Sequence, residues 1–153
     1  MTFNVTEKIR YIGVDDTTID LFESQYIVPN GISYNSYLIM DEKIAIMDTA
    51  DKRKSEEWFA NLEEGLEGRT PDYLIVQHME PDHAGNIATL LAKYPELQVA
   101  ASAKAIQMMP QFFEDTCFEG RTISVKEGET LSLGEHTLQF FMAPMVHWPE
   151  VLV

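Results

Sequence analysis

The sequence is poor in cysteine, in basic residues, in histidine and in long apolar runs, and each shortage narrows what the chain can be. Cys117 is the single cysteine, so no intrachain disulfide can form and stability must come from a packed core. Nothing in the cysteine usage asks for an oxidising compartment, which leaves the cytoplasm as the expected location. Beside Phe118, Cys117 is expected to be a half-buried apolar residue rather than a nucleophile. Lysine and arginine number 11 against 25 acidic residues, a net charge of −14. Such a surface repels nucleic acid and anionic lipid, both of which are bound through basic patches. No apolar run approaches the length needed to cross a membrane, and the first residues lack the basic and apolar stretches of a signal peptide. What remains is an ordinary soluble composition, 45% hydrophobic and 24% charged over 153 residues, enough for one core.

Patterning along the chain alternates strand and helix signals. Short β-rich runs are expected over residues 9–13 and at Leu21 and Phe22. Pro29-Asn30-Gly31 then supplies a turn in which Gly or Asn takes a positive φ. Residues 32–40 and 43–47 read as a hairpin whose second strand ends at Asp48. Asp51 can cap a helix over 52–66, with Trp58, Phe59, Leu62 and Leu66 at helical spacing. Tyr73-Leu74-Ile75-Val76 is short and continuously apolar, as expected of a strand buried on both faces. A helix is expected over 86–94, a strand over 98–101, and a helix from the cap Ser102 to Met108 or Met109, where Pro110 ends or kinks it. Met108, Met109, Phe112 and Phe113 read as core filler. Residues 122–125, 130–133 and 137–142 are again β-rich. Strands, then helix–strand units, then strands predict a layered α/β fold with a mixed sheet.

The chemistry concentrates in one place. The four histidines are His78, His83, His136 and His147, and two of them share a six-residue stretch with Glu80 and Asp82. That stretch follows the buried-looking strand, and a loop leaving a strand can curl such side chains around a common centre. Two imidazoles and two carboxylates suit iron, manganese or zinc rather than calcium or magnesium, and the double negative charge favours a pair of cations. The alternative is a polar helix start capped by Asp82, with the histidines incidental. His147 follows a predicted strand as the first cluster does, so both can open on one sheet edge; it can equally be a hydrogen-bonded loop residue. Asp48 either orients a ligand histidine or merely ends its strand. His136 is expected in a solvated turn.

His78-Met79-Glu80-Pro81-Asp82-His83 has the form H-x-E-x-D-H, which resembles the metallo-β-lactamase-like domain of flavodiiron proteins, the A-type flavoproteins. Gly31-Ile32-Ser33-Tyr34-Asn35-Ser36-Tyr37, Met47-Asp48-Thr49, Ala84-Gly85-Asn86 and Pro144-Met145-Val146-His147-Trp148-Pro149 are similar to further blocks of that family, in the same order. The resemblance implies an αββα sandwich, of which residues 1–153 are the N-terminal portion, incomplete at the C-terminus. It implies a non-haem pair of irons, one held by His78, Glu80 and His147 and the other by Asp82 and His83. It further implies reduction of dioxygen to water or of nitric oxide to nitrous oxide. Electrons come from FMN in a flavodoxin-like domain lying outside this chain, supplied by a rubredoxin-type or similar donor, and a homo-oligomer is implied for the full-length protein. Hydrolases of the same superfamily look like H-x-H-x-D-H and use zinc to activate water. Glu80 replaces that histidine with an anion, which favours iron and redox chemistry. The family's further ligands, an aspartate and a histidine, and any FMN phosphate loop lie outside these residues, and Glu150 stands where aspartate is more usual. The expectation is therefore an oxidoreductase in complete form. A zinc hydrolase, or a non-catalytic fragment as given, remain the alternatives.

Overall fold

Alternation of side chains between two apolar layers is what builds the sheet. The computed structural model describes residues 2–114, 116 and 118–153, so Cys117 lies outside the described residues. The first half of the chain supplies β1 (Phe3–Asn4), β2 (Ile9–Tyr11), β3 (Val14–Asp16), β4 (Leu21–Phe22), β5 (Tyr26–Ile27), β6 (Ile32–Tyr34), β7 (Tyr37–Met40) and β8 (Ile44–Met47). A 3-10 turn at Lys52–Lys54 leads into α1 (Ser55–Leu66), followed by β9 (Tyr73–Val76), α2 (Pro81–Ala84) and α3 (Ile87–Lys93). β10 (Gln98–Ser102), α4 (Ala103–Phe112), β11 (Thr122–Val125), β12 (Thr130–Ser132) and β13 (Thr137–Gln139) complete the order. Seven strands form one sheet in the order β1-β2-β7-β8-β9-β10-β11. Pairing is antiparallel from β1 to β8 and parallel from β8 to β11, the mixed sheet expected from the pattern.

Leu38, Met40, Ile44, Ile46, Leu74, Val76, Val99 and Ala101 point to one core, where they meet Trp58, Leu62 and Leu66 of α1 and Leu90 and Leu91 of α3. The residues between them, Ile39, Ala45, Ile75 and Ala100, point to the other side, against Leu133, Phe140 and Leu152. A period of two with both faces apolar is why these strands read as unbroken hydrophobic runs. α1 buries the stripe foreseen from its spacing, except that Phe59 is only half-buried. Ser102 accepts the Ala105 amide at 3.2 Å and caps α4 as foreseen, whereas Asp51, accepting the Arg53 amide at 2.8 Å, caps the 3-10 turn, and α1 itself starts after Lys54 with no side-chain cap.

Three expectations change. Residues 32–40 are two strands, because the chain switches ribbons at Asn35-Ser36. β6 pairs with β3 outside the main sheet, and the buried Ser36 hydroxyl donates to the Asp48 carbonyl at 2.9 Å. Pro110 lies inside α4 rather than ending it, and the helix closes when the Phe113 amide reaches the Met109 carbonyl at 3.1 Å. Met109 is fully buried and Met108 and Phe113 pack against the core, whereas Phe112 is exposed. His136 is not free in solvent. Its Nδ1 and its backbone N–H each lie 2.7 Å from Oδ2 of the buried Asp41, which pins the β12–β13 hairpin to the sheet.

Candidate metal centre

β8, β9 and β10 run parallel, so their carboxyl ends open on one edge of the sheet, where open α/β folds place their sites. Asp48 follows β8, the cluster starting at Gln77 follows β9, and Ser102 ends β10. Asp48 adopts φ +54°, a left-handed conformation that aspartate tolerates better than most residues. Its Oδ1 accepts the Gln77 amide at 2.8 Å, joining the two strand ends. Thr49 donates its amide (2.8 Å) and its hydroxyl (2.7 Å) to the His83 carbonyl, and Asn86 Nδ2 donates to the Ala50 carbonyl at 2.8 Å. At Gly85 the chain passes so near this strand end that a Cβ would sit 2.7 Å from the Lys52 nitrogen and 2.9 Å from the Pro81 oxygen.

The cluster is half loop and half helix. After a bend at Gln77 the chain leaves β9 without regular structure through His78, Glu80 is extended at φ −59° and ψ 133°, and Pro81 starts the single helical turn α2, for which its fixed φ and missing N–H are suited. Asp82 and His83 stand on that turn. The break in conformation lets four side chains of one short stretch face a common centre, which a continuous helix would not allow. Glu80 Oε2 lies 3.1 Å from His78 Nε2 and 2.5 Å from His147 Nε2. The His78 ring is 5.1 Å from that of His83 and 5.3 Å from that of His147. Donor atoms of His78, Glu80 and His147 fall within 4.8 Å of one another, and so do those of His78, Asp82 and His83. All five residues singled out in the sequence thus meet, and His78 is common to both groups.

The electrostatics fit cations. Glu80 and Asp82 are buried carboxylates, and Asp82 Oδ1 and His83 Nδ1 are buried without a hydrogen-bond partner among the described residues. A buried oxygen left unpaired costs roughly 1–3 kcal/mol, which a bound cation would remove. Burial, reinforced by the neighbouring His83, lowers the His78 pKa and keeps its ring available as a neutral donor. Burial alone would lower His83 too, but the hydrogen bond and charge of Asp82 raise it. Burial pushes the Asp48 carboxyl up to about 7, against the opposing Gln77 hydrogen bond and the His83 charge. A hollow lined by His78, His83, His147, Asn35, Tyr37 and Gln77 opens beside the donors.

Two acidic residues of the surroundings were not foreseen in these positions. Glu23, at the left-handed turn between β4 and β5, faces Glu80. Its pKa is raised, first by desolvation and then by the hydrogen bond to Glu80. Glu150 is buried, and its Oε1 accepts the Met79 amide at 2.7 Å. No spacing rule marks Glu23, while Glu150 stood out in the sequence only as the residue where aspartate is more usual, three residues beyond His147.

The family model described as ODP family beta lactamase matches residues 32–153. A diflavin flavoprotein A 1 from Synechocystis is 35% identical over 150 residues, covering 97% of this chain and 26% of that protein. An anaerobic nitric oxide reductase flavorubredoxin from Pectobacterium atrosepticum is 34% identical over 155 residues, covering all of this chain and 30% of its own length. The chain therefore spans only about a quarter to a third of these relatives. Among solved structures, the rubredoxin oxygen:oxidoreductase of Desulfovibrio gigas matches with a TM-score of 0.92 at 29% identity, over 100% of this chain and 38% of that one. A flavoprotein from Thermotoga maritima matches with a TM-score of 0.86 at 27% identity, over 100% and 39%. With its strand order, its cluster after β9 and these likenesses together, the chain belongs to the ODP family of beta-lactamase-like domains and carries the metallo-β-lactamase-like fold seen in flavodiiron proteins.

Proposed function

We propose that this chain is the metal-binding part of a cytoplasmic flavodiiron oxidoreductase that reduces dioxygen to water, nitric oxide to nitrous oxide, or both. The observation that carries the reading is Glu80, a buried carboxylate whose Oε2 faces the Nε2 atoms of His78 and His147. His78, Glu80 and His147 would hold one iron, and Asp82 and His83 the other. An iron pair would supply electrons to a bound diatomic molecule.

The chain's own residues prepare that chemistry in definable ways. Glu80 brings a negative charge into a dry setting, where it stabilises the more oxidised cation more strongly than a neutral imidazole would. Its acceptor oxygen also fixes the ring planes of His78 and His147, so their nitrogens converge before any metal arrives. Asp48 holds the Gln77 amide at the root of the loop, and its charge acts on His83. Thr49 and Asn86 fasten the other end of the loop to the strand edge.

The relatives support the same direction. One relative is an anaerobic nitric oxide reductase flavorubredoxin and one structural neighbour a rubredoxin oxygen:oxidoreductase. By analogy, electrons would reach the iron through FMN in a separate flavodoxin-like domain, from a rubredoxin-type donor, in a homo-oligomer. The net charge of −14 argues against nucleic acid as a partner, and no helix among the described residues is long and apolar enough to cross a membrane.

The decisive assay is gas consumption by the complete protein, loaded anaerobically with iron and supplied with reduced flavin. Consumption of O₂ or NO that disappears in Glu80→Ala supports the reading. A protein inert to both gases that hydrolyses a thioester or lactam when zinc-loaded would replace it with the hydrolase alternative, which the anionic Glu80 opposes.

A further inference from the structure

His147 presents a mechanical problem. Its side chain is 56% exposed, and it follows Met145 and Val146, each 77% exposed, with Met145 in a left-handed conformation at φ +64°. A ligand on so open a loop would have to be ordered at the moment of binding, and that ordering weakens affinity. Yet His147 Nε2 stands 2.5 Å from Glu80. Something must hold the loop.

The anchor lies three residues further on. Glu150 is 3% exposed, and its Oε1 accepts the amide of Met79, itself fully buried between His78 and Glu80. The Glu150 carbonyl accepts the Ser102 hydroxyl at 2.9 Å, so the same residue is also fixed to the end of β10. Just beyond it, the Leu152 amide donates to the Gln77 carbonyl at 2.9 Å. Pro149 stiffens the short span back to His147, and Trp148 sets its ring edge-on to His78 at 6.4 Å. Oε2 of Glu150 is buried and has no hydrogen-bond partner among the described residues. Among the described residues the carboxyl group is therefore engaged by the Met79 amide alone.

We propose that Glu150 is the positioning residue of the metal centre, coupling the loop that carries His147 to the loop that carries His78 and Glu80. It touches no metal in this role. It acts by holding the two loops in register, so that the first group of donors is preorganised. The inference rests on the metal-centre reading and adds to it a residue whose removal leaves every proposed ligand in place.

Cobalt(II) titration of the complete protein, read by its ligand-field absorption, separates the possibilities. Glu150→Ala is expected to weaken cobalt affinity by about 10- to 100-fold and to alter the band shape. Glu150→Gln, which keeps an acceptor oxygen for the Met79 amide, is expected to restore both to near wild type. Where the alanine variant fails to fold, Glu150→Met fills the same space without an acceptor and carries the same expectation. Wild-type affinity and an unchanged spectrum in the alanine or methionine variant would overturn the proposal while leaving the metal centre intact. A glutamine variant as weak as the alanine one would also overturn it. A complete wild-type protein that binds no cobalt would overturn the metal-centre reading, and this inference with it.

Discussion

At the scale of single residues, Glu80 and Gly85 do the most to define the site. On the proposed reading Glu80 favours iron, because a carboxylate facing two imidazoles carries a charge that a third imidazole would not. Glu80→His is predicted to shift metal preference from iron toward zinc by at least about tenfold, measured by competition between the two ions on one preparation. An unchanged iron-to-zinc preference would show that the anion is not the discriminator. Gly85 decides the path of the loop, since a Cβ there meets backbone of Lys52, Pro81 and Ala50 at 2.7 to 3.0 Å. Gly85→Ala is predicted to lower stability by about 1–3 kcal/mol in urea unfolding, because backbone atoms cannot swing aside as a side chain would. The cluster of candidate donors was legible in the sequence because His78, Glu80, Asp82 and His83 are neighbours along it. Glu150 was not legible as their anchor, because its partner Met79 lies 71 residues away and only packing brings them together.

At the scale of elements, the β12–β13 hairpin shows how one buried acid fixes a segment with little core of its own. Asp41 is buried and receives the amides of Glu42 (2.7 Å), Glu135 (3.2 Å) and His136 (2.7 Å), together with the His136 ring. Burial alone would raise its pKa, but the His136 ring and these amides overcome burial and hold it well below the usual carboxylate range. The stability it contributes is therefore fully present above its unfolded value near about 4, and is lost as pH falls from there toward the lower folded value. Wild type should exceed Asp41→Asn in urea midpoint at neutral pH, and the gap should close progressively below about pH 4. A gap that is constant from neutral to acid would contradict this role. The principal strands could be read from sequence because each alternates between two apolar layers. The break at Asn35-Ser36 could not, since the pairing of β6 with β3 and the Ser36 bond to Asp48 are both long-range. Pro110 misled for a related reason: tertiary packing of Met109 outweighs the local preference to stop a helix there.

At the scale of the whole molecule, the sheet is a frame that brings distant stretches to one edge. The parallel register of β8, β9 and β10 sets Asp48, the 77–86 cluster and Ser102 side by side, and the turn from His147 to Glu150 closes over them. The order of these blocks along the chain was enough to foresee a mixed α/β fold and its metallo-β-lactamase-like character. On the proposed reading these donors hold iron for redox chemistry rather than zinc for hydrolysis. Metal analysis of the complete protein, purified without added metal and again after growth with excess zinc, tests that claim directly. The prediction is about two irons per chain with little zinc in both preparations. Stoichiometric zinc with no iron in either preparation would contradict it.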